Sequence, residues 1–309
     1  MITEQESCSC YLCGSRRINI KANGRERIHK LPGDFQIHEC IDCGLIFTYP
    51  QLNWNDIKRY YPDTYIPHNI VHSSLLGRIL DNHRHAWMKT LVKKYKQSGV
   101  LLDIGCGTGS FLNYISLEHN WELIGIEPSK TAVNNAIIGE NVRILNKKWE
   151  DMDFPDNSFD CITMWHVFEH ISNPKECLLK IHNLLKPNGV LIMAMPNSKS
   201  FNARLFGKYW SGYDVPRHYF SYSPPTITRL LLDSKFEYPN IHSYIGGFGA
   251  FNISMSFLID DINWPECIKK SILKLFSTNI CRALLFPYTY IANVTGHGTN
   301  MVVETRKVK

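Results

Sequence analysis

From residue 99 to about residue 200 the chain alternates short apolar runs with amphipathic stretches. Val100-Leu101-Leu102-Asp103-Ile104 predicts a strand, and Ser110 to Glu118 predicts a helix. Further strands are expected at Glu122–Ile126, Arg143–Leu145, Asp160–Trp165 and Val190–Ala194, with a helix over Lys175–Leu185. Strand and helix signals in that order predict an α/β fold built on a doubly wound parallel sheet. Upstream, residues 51–98 hold Tyr60, Tyr61, Tyr65 and an amphipathic run from Leu75 to Tyr95, which reads as a helical connector. Downstream, residues 197–220 collect Phe201, Arg204, Phe206, Lys208, Tyr209, Trp210, Tyr213 and Arg217. This mixture suits a lid that stacks on a ring and pairs with a phosphate, or one that simply packs. A helix starts at Ser223-Pro224-Pro225-Thr226 and runs through Leu232, and Gly298–Glu304 predicts a last, antiparallel strand. Residues 245–295 read as a helical insert with an amphipathic run from Ile268 to Phe276. A core or dimer helix is expected there, with peripheral membrane contact or acceptor binding as alternatives.

Composition narrows the class. Of 309 residues, 44% are hydrophobic and 20% charged, so a sizeable core can be buried. The net charge of +6 is mild, and no Lys/Arg-dense stripe marks a nucleic-acid partner. No apolar run approaches the roughly 18–20 residues that cross a bilayer. The first ten residues, MITEQESCSC, are polar and acidic, unlike a signal peptide. A cytoplasmic protein is expected.

Cysteine placement supports a reducing compartment. Five of the ten cysteines fall in the first 43 residues, and Cys106, Cys161, Cys177, Cys267 and Cys281 are scattered. Cys10-Tyr-Leu-Cys13 and Cys40-Ile-Asp-Cys43 are two C-x-x-C pairs, 26 residues apart, each followed by glycine. Glycine permits the turn that aims backbone amides at thiolates, so residues 1–50 read as a zinc ribbon ligated by Cys10, Cys13, Cys40 and Cys43. Cys8 could replace Cys10, but Cys10 has the correct interval to Cys13. Four thiolates leave no open position, so the metal would be structural.

Gly105-Cys106-Gly107-Thr108-Gly109 follows the first predicted strand and opens a helix, where ligands bind in open α/β sheets. Glu127 closes the second strand, 18 residues past Gly109, where a carboxylate can accept both ribose hydroxyls of an adenosine.

With Asp103, this loop resembles the first motif of class I S-adenosylmethionine-dependent methyltransferases. Asp156-Asn157-Ser158-Phe159-Asp160 resembles their turn into strand four, and Leu184-Leu185-Lys186-Pro187-Asn188-Gly189-Val190 their turn into strand five. The ribbon and the Tyr-Tyr stretch resemble bacterial members, so residues 99–309 are expected to be the methyltransferase domain. The resemblance implies that the backbone of Gly105, Cys106, Gly107 and Gly109 approaches the methionine part of the cofactor. It further implies that Asp103 orients the loop or attracts the ammonium, that Glu127 holds the ribose, and that Trp149, Glu150 and Trp165 border the cofactor.

Strand four leads into Trp165-His166-Val167-Phe168-Glu169-His170, where a helical turn would put residues 166, 169 and 170 on one face. With His218, from Val215-Pro216-Arg217-His218-Tyr219-Phe220, these are the expected catalytic residues. In one reading Glu169 or His170 is a general base. In another the group binds a divalent metal that acidifies the acceptor. Ubiquinone-pathway and small-RNA methyltransferases are similar here, with E-x-x-E-H, a later histidine and a divalent metal. This chain has His166 in place of the first glutamate. Sugar C-methyltransferases with a zinc module are similar too, and use a Glu-His pair without metal. The expectation is methyl transfer from S-adenosylmethionine to a small-molecule acceptor, preferably a sugar or nucleotide sugar. RNA or quinone/lipid O-methylation and a non-catalytic cofactor-binding regulator are the alternatives.

Overall fold

The computed structural model describes residues 8–62, 75–244 and 247–308. Tyr65 of the connector and the start of the insert at residues 245 and 246 lie outside them. The chain opens with antiparallel strands β1 (Ile18–Gly24), β2 (Phe35–Cys40) and β3 (Ile46–Tyr49). Helices α1 (Trp54–Ile57) and α2 (Leu75–Tyr95) form the connector. The alternating region follows: β4 (Gly99–Ile104), α3 (Ser110–Ser116), β5 (Trp121–Ile126), α4 (Lys130–Asn134), β6 (Val142–Leu145), β7 (Phe159–Trp165), α5 (Pro174–Leu184) and β8 (Leu185–Pro196). After it come α6 (Phe201–Phe206), β9 (Phe220–Ser221), α7 (Pro224–Leu232) and β10 (Asn240–Tyr244). The insert is three helices, α8 (Gly247–Asp260), α9 (Glu266–Phe276) and α10 (Asn279–Val294), before β11 (Asn300–Arg306).

Seven strands form one sheet in the order β10-β11-β8-β7-β4-β5-β6. The five from β8 to β6 are parallel, and β11 and β10 run antiparallel to their neighbours. The expected parallel sheet and its antiparallel final strand are both present. Central strands of such a sheet are covered on both faces, which is why Val100–Leu102 of β4 and Val190–Met195 of β8 read as apolar runs. Along β8 the side chains alternate between two cores: Val190, Ile192 and Ala194 face one, Leu191, Met193 and Met195 the other. Lys186–Gly189 bulge from the register between β7 and β8, and Asn188 takes a left-handed φ of 62° there. That conformation suits asparagine and glycine. Helix α7 begins with Pro at its first turn and a capping box between Ser223 and Thr226.

A second sheet, β1-β2-β3-β9, joins the N-terminal segment to the segment after β8. Ile46 pairs with Ser221 and Phe47 with Phe220. Its core is continuous with that of the large sheet, running from Phe35, Ile37 and Phe47 through Trp210, Tyr213 and Phe220 to Phe168 and Met193. The residues expected to form a lid are therefore largely packing groups. Phe206, Trp210, Tyr213 and Arg217 are buried, and Arg217 makes no cationic surface for a phosphate.

Candidate active site

Strand β4 ends at Ile104, and the next residue, Gly105, has a left-handed φ of 72°. Any Cβ at this position would collide with Val167, so glycine brings the loop against the segment after β7. The amides of Gly105 and Cys106 both donate to Ile126 O, at 2.8 and 3.1 Å, which ties the loop to the end of β5. Gly107 has open space where a side chain would be, and Cys106 is buried under the loop. Glu127 accepts from the amides of Gly107 (2.9 Å) and Ser129 (2.8 Å). Asp103, buried on the central strand, accepts from the Thr163 hydroxyl at 2.7 Å. Burial pushes Asp103 up to about 7 against the pull of that hydroxyl, and the Glu127 charge adds to the rise. Burial raises Glu127 as well, against the two amides. Two carboxyls held in this way favour a cationic ligand, which would restore their ionised forms.

Trp149 is buried and Glu150 is exposed; Lys180 Nζ donates to the Glu150 carbonyl at 2.6 Å. Trp165 is half-buried at the end of β7. Its ring packs edge-on against Phe111 of α3 (5.4 Å between centroids) and Trp87 of α2 (6.2 Å).

Beyond β7 the helical turn begins at Phe168, not at His166. His166 has a φ of 58° and donates its amide to Ala194 O (2.8 Å), and a 3₁₀ turn spans Phe168–His170. Residues 166, 169 and 170 thus do not share a helical face. Three of the four expected catalytic groups converge nonetheless: Glu169, His170 and His218 each offer a ligand atom within 4.8 Å of the others. His166 joins through Glu169, with Nδ1 3.4 Å from Oε1. Beyond that contact, neither Glu169 oxygen has a hydrogen-bond partner among the described residues, although the side chain is buried. Burial alone would raise Glu169; the imidazoles of His166, His218 and His170 outweigh it and hold the carboxyl below its ordinary value.

The rings of His170 and His218 meet edge-on, 4.6 Å apart. His170 Nδ1 lies 3.0 Å from Arg217 O and 3.0 Å from the Tyr61 hydroxyl, and His218 Nδ1 lies 2.8 Å from Gly212 O. A carbonyl can only accept, so each Nδ1 carries a proton; His218 Nε2 lies 3.8 Å from Asp214 Oδ2. Burial, then the His218 charge, lowers His170 to about 4, which keeps it neutral near pH 7. A histidine whose second nitrogen is fixed by a carbonyl is the usual form of a metal ligand or an oriented base.

Residues that the sequence did not point to hold this group in place. The buried Arg217 guanidinium donates to Asp214 (2.6 and 2.9 Å), to Glu26 Oε1 (2.8 Å) and to Tyr60 O (3.0 Å). Glu26, between β1 and β2, also accepts from the amides of Ile28, His29 and Leu31. The Arg217-His218 neighbourhood was a signal for Arg217; Glu26 had none.

The four N-terminal cysteines form a second cluster, with ligand atoms within 4.8 Å of one another. Cys10 Sγ lies 3.4 Å from Cys43 Sγ, and Cys13 Sγ 3.5 Å from Cys40 Sγ. Gly14 and Gly44 have φ near 72° and 75° and donate to the carbonyls of Cys10 and Cys40. Amides of Leu12 and Cys13 face Cys10, and those of Asp42 and Cys43 face Cys40. This donor set fits a tetrahedral soft cation. Cys8 stands outside it, with Sγ 3.5 Å from His38 Nδ1.

A Rossmann-like sheet of this order with a glycine loop after its first parallel strand defines a class I methyltransferase. The profile of the methyltransferase domain family matches residues 79–239, just over half of the chain. The protein belongs to that family. It is 26% identical over 219 residues to the ubiquinone biosynthesis O-methyltransferase of Rickettsia prowazekii, covering 65% of this chain and 85% of that protein. Phosphoethanolamine N-methyltransferase 2 of Haemonchus contortus, solved with S-adenosyl-L-methionine, shares the fold at a TM-score of 0.54 and 16% identity, covering 93% of this chain and 71% of the other. An S-adenosylmethionine-dependent methyltransferase of Thermotoga maritima matches at a TM-score of 0.50 and 19% identity, covering 82% and 99%. Among the described residues no helix is long and apolar enough to cross a membrane.

Proposed function

We propose that this S-adenosylmethionine-dependent methyltransferase acts on a hydroxyl of a small-molecule acceptor activated by Glu169, His170 and His218. The convergence of these three side chains beside the glycine loop carries the reading. Glu127 would exchange a loop amide for the ribose hydroxyls, and Asp103 would face the cationic end of the cofactor. Gly105, Cys106, Gly107 and Gly109 would line the methionine part, with Trp149 and Glu150 toward the adenine and Trp165 backing the loop through Phe111. The acceptor oxygen attacks the methyl carbon, the carbon–sulfur bond breaks, and its electron pair returns to sulfur. The hydroxyl proton would pass to Glu169 or to His170 Nε2. Most of the acceleration would come from in-line placement, because the sulfonium is already a strong electrophile.

A second reading has its own support. Two imidazoles with carbonyl-fixed Nδ1 atoms and a carboxylate with bare oxygens fit a divalent cation. When bound there, such an ion would lower the acceptor hydroxyl's pKa. At the N-terminus, Cys10, Cys13, Cys40 and Cys43 would hold a structural zinc. The preferred acceptor is a sugar or nucleotide sugar, because ribbon and site resemble those of sugar C-methyltransferases, which supports the class of molecule and not the atom methylated. A quinol is favoured by the similarity to the rickettsial O-methyltransferase.

The test is transfer from methyl-labelled S-adenosylmethionine into an extract of cells lacking the gene, with and without added magnesium or chelator. Label in small, water-soluble, nuclease-resistant material supports the sugar class, and organic-extractable label the quinol. Label in a nuclease-sensitive polymer would overturn a small-molecule acceptor. Equal incorporation with wild type and Glu169→Gln would overturn the catalytic assignment.

A further inference from the structure

Helix α10 carries two apolar stripes on different sides. Leu285, Tyr288 and Ala292 face inward, and Leu285 and Tyr288 pack against the core. Ile280, Leu284, Ile291 and Val294 recur at helical spacing on the outside, flanked by Phe286 and Tyr290. Leu284 keeps 75% and Ile280 73% of their surface in solvent, where a helix of a globular protein is normally polar. Helix α9 adds exposed Ile268 and Leu275, and Trp264 stands exposed just ahead of it.

The charges beside this face are mostly positive: Glu266, exposed at the start of α9 and 3.8 Å from Lys269, is the one acid on α9 or α10. From Cys267 to Val303 there is no Asp or Glu, whereas Lys269, Lys270, Lys274 and Arg282 are all present. Lys270, Lys274 and Arg282 are exposed. An apolar face bordered by cations, with Trp and Tyr at its margin, is complementary to the headgroup boundary of an anionic bilayer. A second copy of the chain suits it poorly. Two-fold pairing of this face would set the same cations against each other, with Glu266 the one acid of α9 and α10 to pair them.

We propose that the outer face of α9 and α10 rests on an anionic phospholipid surface, with Ile280, Leu284, Ile291 and Val294 entering the acyl boundary and Lys270, Lys274 and Arg282 meeting lipid phosphates. This face lies on an insert that carries none of the catalytic group, so lipid contact and acceptor chemistry can be tested separately.

The full protein is sedimented with vesicles of phosphatidylcholine alone and of phosphatidylcholine with phosphatidylglycerol. The expected result is roughly ten-fold or greater partitioning onto the anionic vesicles, weakened by salt. Ile280→Glu with Leu284→Glu is expected to abolish it, and Lys270→Ala with Lys274→Ala to remove the preference for anionic lipid. Both variants should bind S-adenosylmethionine as wild type does, which shows that they are folded. Equal sedimentation with both vesicle types, or no loss in the glutamate variant, would overturn the proposal. So would a lipid-free dimer, seen by light scattering, that the glutamate variant converts to monomer, since that result assigns the face to a second copy.

Discussion

Asp103 is a carboxyl that folding moves from water onto the buried centre of a sheet, and its pKa rises from the ordinary 3.8 to about 7. Between about pH 4 and 7 the unfolded chain has released this proton while the folded chain keeps it. Stability therefore falls as pH rises through that window, by about 1.4 kcal/mol per unit from this group, and levels off above it. Glu127, raised by burial, adds a slope of the same sign. Denaturant unfolding of wild type and Asp103→Asn at several pH values isolates the group: wild type should lose stability relative to the variant steadily from about pH 4 to 7, and a pH-independent difference would reject this account. Glu169 is perturbed in the opposite direction, because three imidazoles outweigh its burial. Glu169→Gln keeps the volume and removes the charge. We expect kcat to fall by roughly 10²–10⁴-fold with cofactor affinity unchanged in calorimetry.

At the scale of elements, the two cysteine turns and the glycine loop were legible because each is a local pattern whose geometry demands particular residues at fixed spacing. The central strands of the large sheet were legible for a similar reason: both of their faces are covered, so their sequences are mostly apolar, with single polar residues such as Asp103 and Thr163. Strand β9 was not. Two residues carry no periodicity, and Phe220 is recognisable as a strand only once Phe47 lies beside it. The left-handed turn at His166 also escaped, since nothing in Trp-His-Val-Phe shows that the helical turn starts two residues late. The knuckles make their own prediction. Cys40→Ser should lower zinc from about one equivalent per chain to near none by atomic spectroscopy, and melt β1–β3, because small modules of this kind draw their folding free energy from the metal. Full zinc content in that variant would remove Cys40 from the ligand set.

The whole molecule is tied together through Arg217, whose guanidinium joins the N-terminal sheet at Glu26, the connector at Tyr60 and the segment after α6 at Asp214. Its own carbonyl fixes His170, and its chain neighbour is His218. The N-terminal sheet and the Glu169–His170–His218 group thus share one buried ion cluster and one continuous core. Arg217→Met would leave Glu26 and Asp214 as buried charges without their cation, a cost of about 3–5 kcal/mol. For a chain of this size that is a drop in Tm on the order of 10 °C. Lysine would rescue little of it, because one ammonium cannot reproduce the fork that reaches three partners. The activity should respond differently from the cofactor site. His170 and His218 would lose their support while the glycine loop, anchored at Ile126 and Glu127, would keep its own. Arg217→Met, assayed below its Tm, should therefore show a lowered kcat with cofactor affinity within about two-fold of wild type, a difference of under 0.5 kcal/mol. Wild type should unfold in one calorimetric transition, and zinc removal should shift that transition as a whole and lower kcat along with it. Two separate transitions, or a chelated protein with full kcat, would show that the ribbon is an independent appendage and that the cluster at Arg217 does not carry its influence to the site.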